Sequence, residues 1–208
     1  MLMWSWDGGR FLRLKIVQAG EEVLRRRARP LSPQEILNSE IRELIGHMRE
    51  TMQDAPGVGL AAPQVGLSVQ LVVVEDREEY QAQVPPQLLA ERERKPVPFH
   101  VLINPKMVSS TGGPADFFEG CLSVAGFSAV VLRYASVKVE CLDENGASKT
   151  IEASGWYARI LQHEIDHLHG TLYIDRMHSR TLTTVENLGR FWKDLPVSEV
   201  LSRVGPAD

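Results

Sequence analysis

The stretch GWYARILQHEIDHL at 155–168 constrains this chain more than any other. Trp156, Ile160, Leu161, Ile165 and Leu168 recur at near-helical spacing, so a helix here must bury an apolar face. That same helix carries His163, Glu164 and His167, which its neighbours draw out of water. Residues four apart stand one turn apart on one face, so the two imidazoles can converge on a single point. Buried imidazoles need partners, and a divalent cation such as zinc or iron(II) is one. Glu164, beside the first histidine, can reach a water at that cation without being a ligand, as a general base must. His169 falls outside the spacing and reads as a surface residue.

The third ligand decides the chemistry. The pattern H-E-x-x-H-x-x-G-x-x-H is met through Gly170, but Tyr173 stands where its last histidine belongs. Two candidates remain. Glu186, 19 residues beyond His167, would complete the two-histidine, one-glutamate set of a zinc peptidase. Cys121 in FFEGCLSV, 42 residues before His163, would give a Cys-His-His set, with Gly120 leaving the backbone free to turn the thiolate toward the helix. Cys141, inside VKVECLD, reads as a buried core residue. Two cysteines make no disulfide framework and fit a reducing compartment.

Across the 208 residues, 43% are hydrophobic and 24% charged, which is ordinary for one substantial core, so a single domain over 1–208 is expected. A net charge of -4 argues against direct nucleic-acid binding, and LRRRAR at 24–29 reads as a solvated face. No run of about 18 apolar residues exists to span a membrane. The N-terminal stretch MLMWSWDGGRFLRLK lacks the layout of a secretory signal.

Local signals outline the rest. Ser32, Pro33 and Glu35 open a helix predicted to run over 32–55, with Ile36, Leu37, Ile41, Leu44, Ile45, Met48 and Met52 as its apolar stripe. GVGLAAPQVG at 57–66 suits an irregular loop lying close to something, and VQLVVVE at 69–75 a buried strand. The charged, proline-rich 76–99 reads as a surface excursion from a core spanning about 14–193. HVLINP reads as a strand, SVKVECLDENGASKTIEAS as a hairpin turning near Asn145-Gly146, and 180–193 as a C-terminal helix. The expected class is α+β, with mixed or antiparallel strands around a central metal-binding helix.

GVGLAAPQ at 57–64, EGCLS at 119–123 and QHEIDH at 162–167 carry, in order, three motifs by which the chain resembles the peptide deformylase family. SVAGF at 123–127 and the tract from 153 to 181 look most like the branch that includes mitochondrial forms. The resemblance implies removal of the N-formyl group from the initiator methionine of new polypeptides, with formate released. It implies that Cys121, His163 and His167 bind one metal, iron(II) or zinc(II), with nickel and cobalt as alternative occupants, and that Glu164 handles protons. Gln64 and the backbone N–H of Leu122 would stabilise the oxyanion. Val58, Gly59, Gly120 and Trp156 would meet the substrate, the first two aligning it as an added strand, and Arg133 would pair with Glu119. Trp156 stands where many bacterial members carry a smaller aliphatic residue, which narrows the pocket expected for methionine, and Ser128 stands where they often carry arginine. Formyl-methionyl nascent peptides are the implied partners, with the ribosome a further one. The implied compartment is a bacterial cytoplasm, with mitochondrial matrix or plastid as alternatives. A zinc peptidase using Glu186 and a non-catalytic relative that binds N-termini are the competing functions.

Overall fold

The structure is a computed structural model that describes residues 12–82 and 84–205. Residues 1–11, which hold most of the stretch read against a secretory signal, lie outside them. Among the described residues no helix is long and apolar enough to cross a membrane.

The first helical segment differs from expectation. Ser32 accepts from the Glu35 amide and Glu35 accepts from the Ser32 amide, which is the expected capping box, but α1 (Pro33–Ile36) then stops. Asn38 caps a second helix, α2 (Ser39–Asp54), by accepting from the Glu40 amide. An asparagine side chain competes with the helical backbone for these bonds, so it starts a helix better than it continues one. Leu37, expected in the stripe, is turned out at the break and 56% exposed. Ile45, Met48 and Met52 of α2 are buried as the periodicity requires.

Strands β1 (Gly59–Ala61) and β2 (Leu71–Asp76) come next, joined through a turn of 3-10 helix at Ala62–Val65. The 57–66 segment is thus a short strand and a turn rather than an irregular loop. Two short helices, α3 (Glu78–Gln81) and α4 (Pro86–Glu91), lead into β3 (Val97–Cys121), β4 (Val124–Leu142) and β5 (Ser148–Ser154). The strands are ordered β1-β2-β3-β4-β5 and every pairing is antiparallel. The hairpin between β4 and β5 turns where expected, with the Asp143 carboxylate accepting from the Asn145 and Ala147 amides. Helix α5 (Gly155–Leu168) follows directly.

The uninterrupted apolar run of β2 has a simple cause. Successive side chains of a strand point to opposite faces, and here both faces are covered. Leu71 and Val73 join Met48, Met52, Val101 and Ile103 on the α2 side, whereas Val72 and Val74 join Leu102, Leu161 and Ile165 on the α5 side. Helix α5 therefore has its apolar stripe pressed on the sheet, and its polar residues are buried with it.

The expected surface excursion over 76–99 is shorter than that: Asp76 ends β2 and Val97–Phe99 open β3 against the core, and the stretch between them is tied down by two sets of hydrogen bonds. Arg94 donates twice to the buried carboxylate of Asp76, at 2.8 Å each, and the Trp156 amide donates to the Arg92 carbonyl at 2.8 Å. The crossing is close enough to demand a glycine at the start of α5. Gly155 has φ +56°, and a Cβ there would lie 2.4 Å from the Glu93 Cβ and 2.7 Å from the Arg92 carbonyl.

The C-terminal region also departs from expectation. No helix spans 180–193. Instead β6 (Thr183–Thr184) pairs with β4 at Phe127 and Ser128, and α6 (Val185–Asn187) and a π turn (Leu188–Trp192) follow. The β-branched threonines add to an available strand edge, and the Thr184 side chain caps the turn behind them. An unanticipated helix, α7 (Val197–Val204), begins after Pro196. The basic cluster is a solvated, ion-paired face: Arg25 meets Asp175, Arg26 meets Glu22 and Arg29 meets Glu35.

Two glycines separate backbone strain from crowding. Gly113, with φ +72° and nothing within 4 Å of an added Cβ, should lose about 1–2 kcal/mol on substitution by alanine. Gly155→Ala adds a backbone clash to the same strain and should lose clearly more, as measured by denaturant unfolding of the two variants in parallel.

Candidate metal centre

Cys121 ends β3 at a register shift between Gly120 and Cys121. Such an irregularity re-aims a side chain, and this one delivers the sulfur to α5. The ligand atoms of Cys121, His163 and His167 all lie within 4.8 Å of one another. The Cys121 Sγ stands 3.3 Å from His167 Nε2, and the two imidazole rings are 5.0 Å apart between centroids. Glu186, the competing third ligand, lies exposed on α6 and outside this group, so the His-His-Glu site of a zinc peptidase is not formed. Tyr173, which occupies the place of a metzincin histidine, stacks on the His163 ring instead.

The donors fit a divalent cation. His163 Nδ1 is engaged with Glu119 Oε2 at 2.9 Å, which leaves Nε2 to face the cluster. Burial holds the His167 imidazole well below its usual pKa, keeping it neutral with a lone pair to donate. Two nearby polar atoms, Glu164 Oε2 and His167 Nδ1, are buried with no hydrogen-bond partner. One thiolate and two imidazoles suit zinc or iron(II) and leave a coordination position open.

Glu164 is held by a contact with β1. A Cβ on Gly59 would fall 2.3 Å from Glu164 Oε1, so the carboxylate occupies the space that a side chain at 59 would need. The corresponding space at Gly57 is taken by the Leu122 side chain, 2.8 Å away. The two glycines, expected to admit a substrate backbone, are thus required first by the protein's own side chains. Burial pushes the Glu164 carboxyl up to about 7. A base poised near neutrality takes and returns protons with little penalty in either direction.

Gln64 is oriented from the opposite end. Its Oε1 accepts from the Ala61 amide at 2.9 Å, so its Nε2 faces Ser123 Oγ at 3.3 Å and Cys121 Sγ at 3.5 Å. Beside these groups opens a cleft of about 740 Å³. Val58, Gly59, Gly120, Leu122 and Trp156 all line it, together with Gln64, Glu164 and two of the three donors, Cys121 and His163.

Behind the histidines lies a buried ion network of which the sequence revealed only one link. Glu119 and Arg133 do pair, at 2.9 and 3.0 Å. Arg159 also donates to Glu119 Oε1 at 2.6 Å and to the carbonyls of Val131 and Ala115. Asp166 accepts from Arg133 and from Arg176. Burial alone would raise the Glu119 carboxyl, but the bonds from His163 and Arg133 outweigh it and hold the group far below the usual carboxylate range. Arg159 had a usable signal: it precedes His163 by four residues and His167 by eight, on the same face of α5. Asp166 stands within the QHEIDH motif, but its partners, which arrive from β4 and from the segment beyond α5, cannot be read from it.

Comparison with known proteins agrees with this arrangement. The family model described as polypeptide deformylase matches residues 13–182. The chloroplastic peptide deformylase 1A of Solanum lycopersicum is 46% identical over 190 residues, covering 91% of this chain and 67% of that protein. The mitochondrial peptide deformylase of Homo sapiens is 41% identical over 170 residues, covering 82% and 70%. The Met-Ala-Ser-bound crystal structure of the class I type b enzyme from Acinetobacter baumannii superposes with a TM-score of 0.72 at 32% identity, covering 81% of this chain and all of that one.

This chain belongs to the peptide deformylase family. As a deformylase it is an enzyme, which removes the competing idea of a non-catalytic binder of N-termini.

The network and the glycine contact each make a prediction. Removing Arg159 leaves the buried Glu119 short of a partner, so Arg159→Met should destabilise the metal-free protein by about 3–5 kcal/mol. Breaking the exposed Arg203–Glu199 pair should change it by at most about 1 kcal/mol in the same unfolding assay. Gly59→Ala must displace the Glu164 carboxylate; a shift near 1 Å should lower kcat about 100-fold while bound metal, measured by elemental analysis, stays unchanged.

Proposed function

We propose that this deformylase takes the formyl group from the N-terminal methionine of nascent polypeptides as they leave the ribosome, with Cys121, His163 and His167 as the metal-holding residues. The observation that carries the proposal is the convergence of these donors beside a buried, partnerless carboxylate oxygen of Glu164. A divalent ion held there, iron(II) or zinc(II) with nickel or cobalt as alternatives, supplies Lewis acidity and makes water nucleophilic near neutral pH.

The chain's own groups do the remaining work. Glu164 accepts the proton of the attacking water on its carboxylate and passes it to the departing amine, a role supported by its burial and by its contact with Gly59. Gln64 Nε2 and the Leu122 amide donate to the oxygen on which negative charge develops. One such donor is typically worth about 3–4 kcal/mol of transition-state stabilisation, and an amide donates without ionising. Glu119 orients His163 by accepting from Nδ1, and Arg133 keeps Glu119 in place.

Substrate alignment follows from the sheet order. Strand β1 is outermost, so one of its edges is unpaired by any strand among the described residues. Val58 turns its carbonyl inward to the Glu75 amide. Since peptide groups alternate along a strand, the N–H and C=O of Gly59 face the open edge, where an extended substrate can add. Trp156 and Gly120 then border the methionine side chain. The Acinetobacter relative, seen with Met-Ala-Ser, fits a substrate that is a peptide with methionine first. The relatives include chloroplast, mitochondrial and bacterial forms.

Glu164→Gln should lower formate release from formyl-Met-Ala-Ser by about 100-fold or more with metal content retained. Cys121→Ser should instead lose the metal. Formate release persisting in the first variant would sink the assignment of Glu164, and full metal occupancy in the second would sink that of Cys121.

A further inference from the structure

A second cavity, of about 550 Å³, adjoins the catalytic cleft and shares Gly120, Trp156 and Val185 with it. Its walls are mostly apolar, with Leu88 of α4, Phe117 of β3 and Trp192 of the π turn among them. Four charged residues also line it, of which Glu91, Lys193 and Asp194 are exposed. Arg92 alone is withdrawn from solvent.

Arg92 is unlike the other arginines packed into this protein. Arg94 has Asp76 at 2.8 Å, and Arg133 and Arg159 have Glu119 at 2.9 and 2.6 Å. Among the described residues the Arg92 guanidinium has no carboxylate within ion-pair distance, and none of its nitrogens has a hydrogen-bond partner; its Nε is fully buried. It lies over the rings of Trp156 and Phe117, 5.1 and 5.7 Å from their centroids. Its backbone is fixed rather than free, because its carbonyl accepts from the Trp156 amide and Gly155 packs against it. A guanidinium held in place, half out of water and short of acceptors, is a ready partner for a carboxylate, which it can bind through two parallel bonds.

We propose that Arg92 forms a carboxylate-accepting subsite for the substrate polypeptide downstream of formyl-methionine, so that the enzyme favours nascent chains with an acidic side chain there. This rests on the deformylase activity proposed above. The occupant follows from continuity: Trp156 is a common wall of cleft and cavity, and the substrate is a chain that must continue past the methionine. An extended peptide advances about 3.3 Å per residue, so a few residues beyond the methionine are enough to pass from one to the other. The apolar walls suit the stem of a glutamate with its carboxylate on Arg92.

The test uses formyl-Met peptides of six residues in which Glu, Gln or Lys is stepped through positions 3 to 6, with kcat/KM measured by formate release for the metal-loaded wild type, Arg92→Gln and Arg92→Lys. At one position the wild type should prefer Glu over Gln by about tenfold, the scale of a charge-assisted hydrogen bond, with Lys below Gln. The Glu/Gln ratio should collapse toward one in Arg92→Gln and be partly kept in Arg92→Lys. Each ratio compares two peptides on one enzyme, so a lower amount of folded variant cancels. Ratios near one at all positions in the wild type, or a ratio unchanged in Arg92→Gln, would overturn the subsite alone. A wild type inert toward all the peptides would overturn the deformylase activity and the subsite with it.

Discussion

The site hangs on one buried carboxylate. Glu119 on β3 receives Arg133 from the adjoining β4 and both Arg159 and His163 from α5, so its two oxygens tie the β3–β4 hairpin to a helix whose donors lie 40 and 44 residues farther along the chain. Each donor satisfies a lone pair, and none is spare. Such a group is expensive to bury, and it is tolerable only because the attached cations and the imidazole N–H arrive together. The result is a carboxylate that stays ionised and an imidazole whose Nδ1 is occupied, which turns Nε2 toward Cys121 and His167. The orientation of a metal ligand is in this way tied to the assembly of the sheet.

Burial does the complementary work on the other face of α5. The apolar stripe that presses the helix on β2 and β5 also takes Glu164 out of water, raising its affinity for a proton. Gly59 then supplies the only kind of backbone against which that carboxylate can lie. Core packing and acid-base chemistry are thus products of one contact between α5 and the edge strand β1.

Much of this was legible in the residues. The helix with its two histidines, the hairpin at Asn145-Gly146, the buried strand expected over 69–75 and found at Leu71–Asp76, and the capping box at Ser32 all depend on neighbours within a few positions, and all formed. Where local signals competed, expectation failed. Asn38 interrupted a helix whose apolar period ran on through it, and Thr183 and Thr184 joined a strand edge that becomes available only once β4 exists. The glycines at 57 and 59 announced a close approach without saying by what. Arg159 was readable by its spacing from His163, whereas the ion pairs of Asp166 and the isolation of Arg92 were not, since both depend on partners present or missing across the fold.

The sequence alone determined the donor types, their spacing on one helix face and the placing of a carboxyl group beside the first histidine, because a helix repeats every 3.6 residues whatever surrounds it. Only the tertiary structure brought Cys121, and not Glu186, to the histidines, rested Glu164 on Gly59, and withdrew Arg92 from solvent without an ion-pair partner among the described residues. Those outcomes depend on which distant segments the sheet brings side by side. Burial and electrostatic pairing act through space, and a linear order of residues does not record them.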